Sequence, residues 1–178
     1  MSATNLVPGW LLDRFNTLYR QPYYEASSYY ALINTMLTTI YPTTMRFLVK
    51  PLPRLPYSPL LQVRTSDNDD FLVCIRTSSL GADVPILIYV VKREDEVGVT
   101  SPQMQVERYM HWARQYQNQV APWARIGVYG VFVMGPKSQV FSLSPDADFI
   151  DAGPNYDTTG NQLLSMLQDL RNKHGVQV

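Results

Sequence analysis

The sequence is short of the residues most site chemistries depend on. Its 178 residues include one cysteine, Cys74, and two histidines, His111 and His174. A single thiol forms no internal disulfide, so nothing points to an oxidising compartment. One Cys with two His does not assemble a zinc site of the usual kind. Charged residues make up only 17% of the chain, against a typical ~25%. Fifteen Lys and Arg offset fifteen Asp and Glu, for a formal charge of zero. That excludes a histone-like basic binder and an acidic disordered tail. The nine glycines have no collagenous period and never form G-x-G-x-x-G or G-x-x-x-x-G-K, so no phosphate-cradling loop is present. No apolar run approaches the ~20 residues needed to span a bilayer. The stretch Met1–Gly9 is polar and lacks the basic and apolar regions of a secretory signal. The expectation is an intracellular protein, in cytoplasm or nucleus, without a membrane partner.

What is present is a globular composition, 46% apolar, with a high content of tyrosine (12) and proline (13). The length suits a single domain over 1–178 with a core at about 24–143. Trp10, Leu11, Phe15 and Leu18 recur near the helical period and predict a helix over Trp10–Tyr19, ended at Gln21-Pro22. A second helix is expected from about Tyr24 to Ile40, capped by Ser27 or Ser28 unless Tyr23 and Glu25 are already helical. Tyr30, Ile33, Leu37 and Tyr41 lie on one stripe, and Pro42 is the stop. Met45–Val49 reads as a strand leading into a connection rich in proline, with a further strand possible at Leu60–Arg64 and a turn at Ser66–Asp69. Asp70–Arg76 is a strand. Pro85–Lys92 is the most apolar strand, and apolar residues on both its faces predict a central place in a covered sheet.

Thr100 or Ser101 caps a helix that begins at Pro102 and runs to about Asn118. One of its stripes is Val106, Met110, Ala113 and Gln117; the neighbouring stripe is Gln105, Tyr109, Trp112 and Tyr116. Ile126–Met134 and Gln139–Leu143 form a hairpin about Gly135-Pro136-Lys137. An acidic loop follows. Thr159-x-x-Gln162 then resembles a capping box opening a last helix, at about 159–173, with Leu163, Met166, Leu167 and Leu170 inward. The fold class is therefore α/β, or α+β, with a mixed sheet flanked by helices.

Nucleophilic catalysis finds little footing. Cys74 sits mid-strand among apolar residues, as a small buried residue would. His111 has no Ser or Asp nucleophile motif beside it, and His174 lies near a helix C-terminus, where its charge would favour the dipole.

One constellation has both order and spacing. Asp70 opens a strand, the next strand ends Val90-Val91-Lys92, and the following helix carries Gln105-Val-Glu-Arg-Tyr109. This resembles the PD-(D/E)XK nuclease superfamily, in which an acid opens one core strand, a (D/E)-x-K tripeptide ends the next, and a Gln-x-x-x-Tyr element on the following helix recurs in the branch similar to the RecB nuclease. The resemblance covers about two-thirds of the chain. It implies a restriction-endonuclease-like αβββαβ core from about Tyr24 to Val133, with an added N-terminal helix and a C-terminal hairpin and helix. The wider texture is similar to a group of small intracellular fungal proteins with this fold. The resemblance also implies vestigial catalytic positions at Asp70 and Lys92, with Gln105 and Tyr109 on the helix. Phosphodiester hydrolysis of that kind needs Mg²⁺ held by converging carboxylates, with a lysine orienting the water or offsetting developing charge.

The departure from the pattern is Val90, where the family's metal-binding acid belongs. Three carboxylates are candidates to replace it. Glu94 shares a face with residues 90 and 92 if the strand extends that far, and would join Asp70 as a metal ligand; Glu107 lies on the next helix; Glu25 starts the earlier one. The plainer readings are a solvated turn for Glu94-Asp95-Glu96, a surface position for Glu107, a turn cap for Asp70, and a half-buried polar–aromatic pair for Gln105 and Tyr109. Arg46, Lys50, Arg54 and Arg64 form a basic stretch without an acid, and Asp146 to Asp169 carries five acids without a base. Three functions follow as expectations. The first is a catalytically inactive nuclease-like module binding nucleic acid or protein. The second is an active Mg²⁺-dependent nuclease with a migrated carboxylate. The third is a structural or interaction protein with no nucleic-acid role, homodimeric through exposed Tyr and Pro surface.

Overall fold

The structure is a computed structural model that describes residues 6–20, 26–52, 71–76, 81–92 and 102–175. Helices α1 (Gly9–Tyr19) and α2 (Ala26–Ile40) come first, then a 3₁₀ turn at Thr43–Met45. Strands β1 (Phe47–Pro51), β2 (Phe71–Arg76) and β3 (Asp83–Lys92) precede α3 (Pro102–Val120). Strands β4 (Val128–Met134), β5 (Lys137–Leu143) and β6 (Asp151–Asp157) lead to α4 (Asn161–Gly175). The expected turn at 66–69 and strand at 60–64, and the residues Glu25, Asp70, Glu94, Thr100 and Ser101, lie outside the described residues.

The six strands form one mixed sheet in sequence order, β1-β2-β3-β4-β5-β6. Every pairing is antiparallel except β3 with β4, which are parallel and joined through α3. The architecture is α/β, and both sheet faces are covered. Phe71, Val73 and Ile75 of β2 point to the α1, α2 and α4 side, with Tyr89, Val91, Val131 and Val133. Leu72 and Cys74 point to the α3 side, with Ile88, Val90 and Phe132. The alternation is what a strand dictates, since successive side chains take opposite faces. Residues 84 to 91 of β3 are all buried, which is why that strand reads as continuously apolar.

Pro85 sits inside this central strand, where the ladder normally needs an N–H. The register shifts there: Val73 faces Leu87 and Cys74 faces Pro85. The bulge takes up Ile86, so that Ile86 and Leu87 both pack on the same core, and Pro85 falls where its missing donor is tolerated.

Several local expectations are corrected. Trp10 is 62% exposed, so the buried stripe of α1 is Leu11, Phe15 and Leu18 alone. Ser27 and Ser28 lie within the first turn of α2 and not before it. The acidic loop after β5 contains β6, an edge strand paired antiparallel to β5. Three steps along β6 match two along β5, so a bulge accommodates Gly153-Pro154. Gly160 and not Thr159 caps α4, because its carbonyl accepts the first helical bond, from the Leu164 N–H at 3.1 Å.

The β4–β5 hairpin is tied into the fold by a buried polar network. Gly135 takes φ +55° at the first of two turn positions, where glycine is favoured. Its carbonyl accepts from the Tyr29 hydroxyl at 2.8 Å and the Thr158 hydroxyl at 3.0 Å. Thr158 Oγ1 also lies 2.8 Å from Ser138 Oγ, and the Thr158 N–H donates to the Pro136 carbonyl at 2.8 Å. These bonds hold α2, the hairpin and the turn before α4 together.

Candidate functional site

The direction of α3 follows from its contacts. Near its start, Val106 and Met110 lie so close over Gly130 that a side chain there would strike Val106 Cγ1 and come within 2.7 Å of Met110 Sδ. Near its end, Gln117 Nε2 donates to the Pro85 carbonyl at 2.5 Å. The helix therefore runs antiparallel to β3 and β4, and its first turns lie toward their C-terminal ends. In α/β sheets that end is where ligands collect. The expected stripe Val106, Met110, Ala113 and Gln117 is buried in full. Arg114 anchors the far end, donating to the carbonyls of Leu143, Ser144 and Pro145 at 2.7–3.0 Å.

Lys92 is the last residue of β3 and stands in register with Met134 of β4. Asp70 immediately precedes Phe71, whose partner across the ladder is Tyr89. Gln105 and Tyr109 are half-buried on the outer shoulder of α3, and both engage other groups. Val90 has no exposed surface and belongs to the cluster beneath α3. It is a core residue of the sheet, sealed from water by the helix.

Glu107 lies on α3 and accepts a hydrogen bond from Gln103 Nε2 at 2.7 Å, on the exposed surface of the helix. Among the described residues, no group of three or more His, Cys, Asp or Glu is placed to hold a metal ion. The basic stretch is partly neutralised: Lys50 Nζ pairs with Asp83 Oδ2 at 3.3 Å. Arg46 is exposed at the start of β1 in the left-handed region, at φ +63°.

Cys74 is fully buried, and burial pushes its thiol up to about 12, so it is no thiolate nucleophile at neutral pH. His174 overturns the expectation of a helix-end charge. It is 3% exposed, and neither ring nitrogen has a hydrogen-bond partner among the described residues. Burial, with Lys173 next to it, holds its pKa down to about 4. The imidazole is neutral at pH 7 and brings no charge to the dipole.

A concavity beside α4 was not foreseen. A cleft of about 550 Å³ opens between α4 and the sheet, lined by Tyr129, Tyr156, Asn161, Gln162, Ser165, Met166, Asp169 and Leu170. Its sequence signal was the polar i, i+4, i+8 row Asn161, Ser165, Asp169, which an isolated helix would simply turn to water.

No family model, curated protein or solved structure matches this chain. Among the described residues, no helix is long and apolar enough to cross a membrane.

Proposed function

We propose that the chain is a degenerate PD-(D/E)XK nuclease-like domain that binds a nucleic-acid or protein partner and does not cleave. The observation that carries the reading is Val90, with 0% exposure at the position of the family's metal-binding acid. A solvent-excluded valine cannot ligate an ion, and an acid at that depth would be held neutral. The order α2-β1-β2-β3-α3-β4, with three antiparallel strands and a helix leading to a parallel fourth, supports the αβββαβ comparison. Lys92 at the end of β3, and Gln105 and Tyr109 early in α3, keep the family's sequence of elements.

The test is plasmid cleavage with Mg²⁺ or Mn²⁺ by the wild-type chain, Asp70→Ala and Lys92→Ala. The expected result is no cleavage by any of them. Cleavage by the wild type that both substitutions abolish overturns the proposal and assigns an active nuclease with a carboxylate supplied from elsewhere. Binding to single- and double-stranded DNA between 50 and 200 mM salt then identifies the partner. Affinity falling steeply with salt assigns nucleic acid; no binding excludes nucleic acid and leaves a protein partner or none.

A further inference from the structure

Arg46 and Arg76 stand side by side at one end of the sheet. The Arg76 N–H donates to the Arg46 carbonyl at 2.9 Å, one step beyond the paired Phe47 and Ile75. We propose that this arginine pair is a phosphate contact that holds a nucleic-acid backbone. The inference rests on the proposed function, and it fixes the partner as nucleic acid and the surface as this end of β1 and β2.

Placement is the first argument. Arg76 ends β2 opposite Asp83, the first residue of β3, whereas Lys92 is the last. Nine strand steps, about 30 Å, separate the pair from the vestigial catalytic position. A nucleic-acid strand held there lies away from Lys92, in keeping with binding without cleavage.

Electrostatics is the second. Both arginines are exposed, and like charges directly across an antiparallel ladder destabilise it. Among the described residues, neither side chain makes a hydrogen bond or an ion pair. Asp83, across the next ladder from Arg76, is engaged by Lys50 at 3.3 Å. Arg46, Lys50 and Arg76 against Asp83 leave two positive charges at this end. An anion seated on the pair relieves the repulsion and releases its own counterions.

Chemistry is the third. A guanidinium is a planar fork of N–H donors that fits two phosphate oxygens, and it stays charged at any working pH. Thr43 and Thr44, exposed in the turn immediately before Arg46, add two hydroxyls that make no hydrogen bond among the described residues. Arg46 caps that turn in the left-handed region, its N–H donating to the Thr43 carbonyl at 2.9 Å. The two cations and two hydroxyls thus sit on adjoining backbone. They match phosphate oxygens and offer no amide to pair with a base edge, so the contact is to the backbone and independent of base sequence.

The experiment is fluorescence anisotropy of the full chain with a dye-labelled single-stranded 20-mer and its duplex, between 50 and 200 mM salt. The variants are Arg46→Gln, Arg76→Gln, their double, and the charge-preserving double Arg46→Lys/Arg76→Lys. Arg14→Gln, at an exposed position on α1, is the control. The expected result is wild-type affinity that falls with salt. Each single Gln variant weakens binding about tenfold at ~100 mM salt and lowers the slope of log affinity against log salt by about one, and the double lowers it by about two. The Lys double keeps the slope, Arg14→Gln changes nothing, and urea midpoints of the Gln variants stay at or above wild type. Undiminished affinity and slope in the Gln double overturn the arginine contact while the nucleic-acid reading stands. An equal loss in Arg14→Gln, or in the Lys double, likewise overturns it. No binding by the wild-type chain overturns the nucleic-acid reading and the contact together, so the two failures are distinguishable.

Discussion

Replacing Val90 with Asp asks whether position 90 belongs to a solvated site or to the core. Val90 has no exposed surface and shares its cluster with Ile88, Val106, Met110 and Phe132. Losing the isopropyl group forfeits about 1.5–3 kcal/mol of burial. A carboxyl placed there without a partner is held neutral to about pH 7 or beyond, against ~3.9 in the unfolded chain. The folded value is raised, so the unfolded state gives up its proton first as pH rises. The ionisation penalty is absent below about pH 4 and grows by about 1.4 kcal/mol per pH unit, reaching about 4 kcal/mol at pH 7. The total is comparable with the ~5–15 kcal/mol that keeps a domain folded. Val90→Thr is the reference: it keeps the shape, buries one hydroxyl, and costs about 1–3 kcal/mol at every pH. Urea unfolding followed by circular dichroism from pH 4 to pH 8 reads both. The reasoning fails if the Asp and Thr variants agree within 1 kcal/mol at pH 7, or if their difference does not grow with pH. Either result means position 90 is reached by water, and the argument against a metal ligand there is lost.

Three further outcomes are expected. Gly130→Ala drives a Cβ into Val106 and Met110; the valine has one comfortable rotamer in a helix, so stability falls by about 1–3 kcal/mol, and the added substitution Val106→Ala recovers part of the loss in a thermal melt. His174, held at about 4 against an ordinary 6.5, is buried neutral. The unfolded state takes up the proton first, so stability falls as pH drops from 6.5 towards 4, by up to about 3 kcal/mol. His174→Gln flattens that slope in denaturant titrations, and an unchanged slope refutes the assignment. Cys74, with its thiol pushed up to about 12, has about a thousandfold fewer thiolates than an ordinary cysteine. It reacts with a disulfide reagent at pH 8 only as fast as the protein unfolds, and rapid labelling of the native chain refutes its burial.

Much of the fold is legible where one element's own periodicity carries the information. Val106, Met110, Ala113 and Gln117 are spaced for a single helix face, and all four are buried. Pro85–Lys92 is apolar at nearly every position because both sheet faces are covered. Gly135-Pro136 marks its hairpin because a two-residue turn demands a positive φ. Position β6 is the opposite case. Its sequence, Asp-Ala-Gly-Pro-Asn-Tyr-Asp, is mostly turn formers, and it is a strand only because β5 offers it an edge. Edge strands hydrogen-bond on one side and tolerate proline at a bulge, so their residues carry little strand signal.

The chain alone determined the four helices, the strands other than β6, the mixed sheet flanked by helices, and the absence of an acid at position 90. These depend on local spacing and residue identity, which no partner segment can alter. Tertiary structure decided what those residues face. It sealed Val90 beneath α3, buried His174 as a neutral imidazole, turned Trp10 out to solvent, and drew Tyr129 of β4 and Tyr156 of β6 to one cleft beside Asp169. Exposure and convergence come from segments far apart in sequence, and the packing that brings them together is written in no single stretch of it.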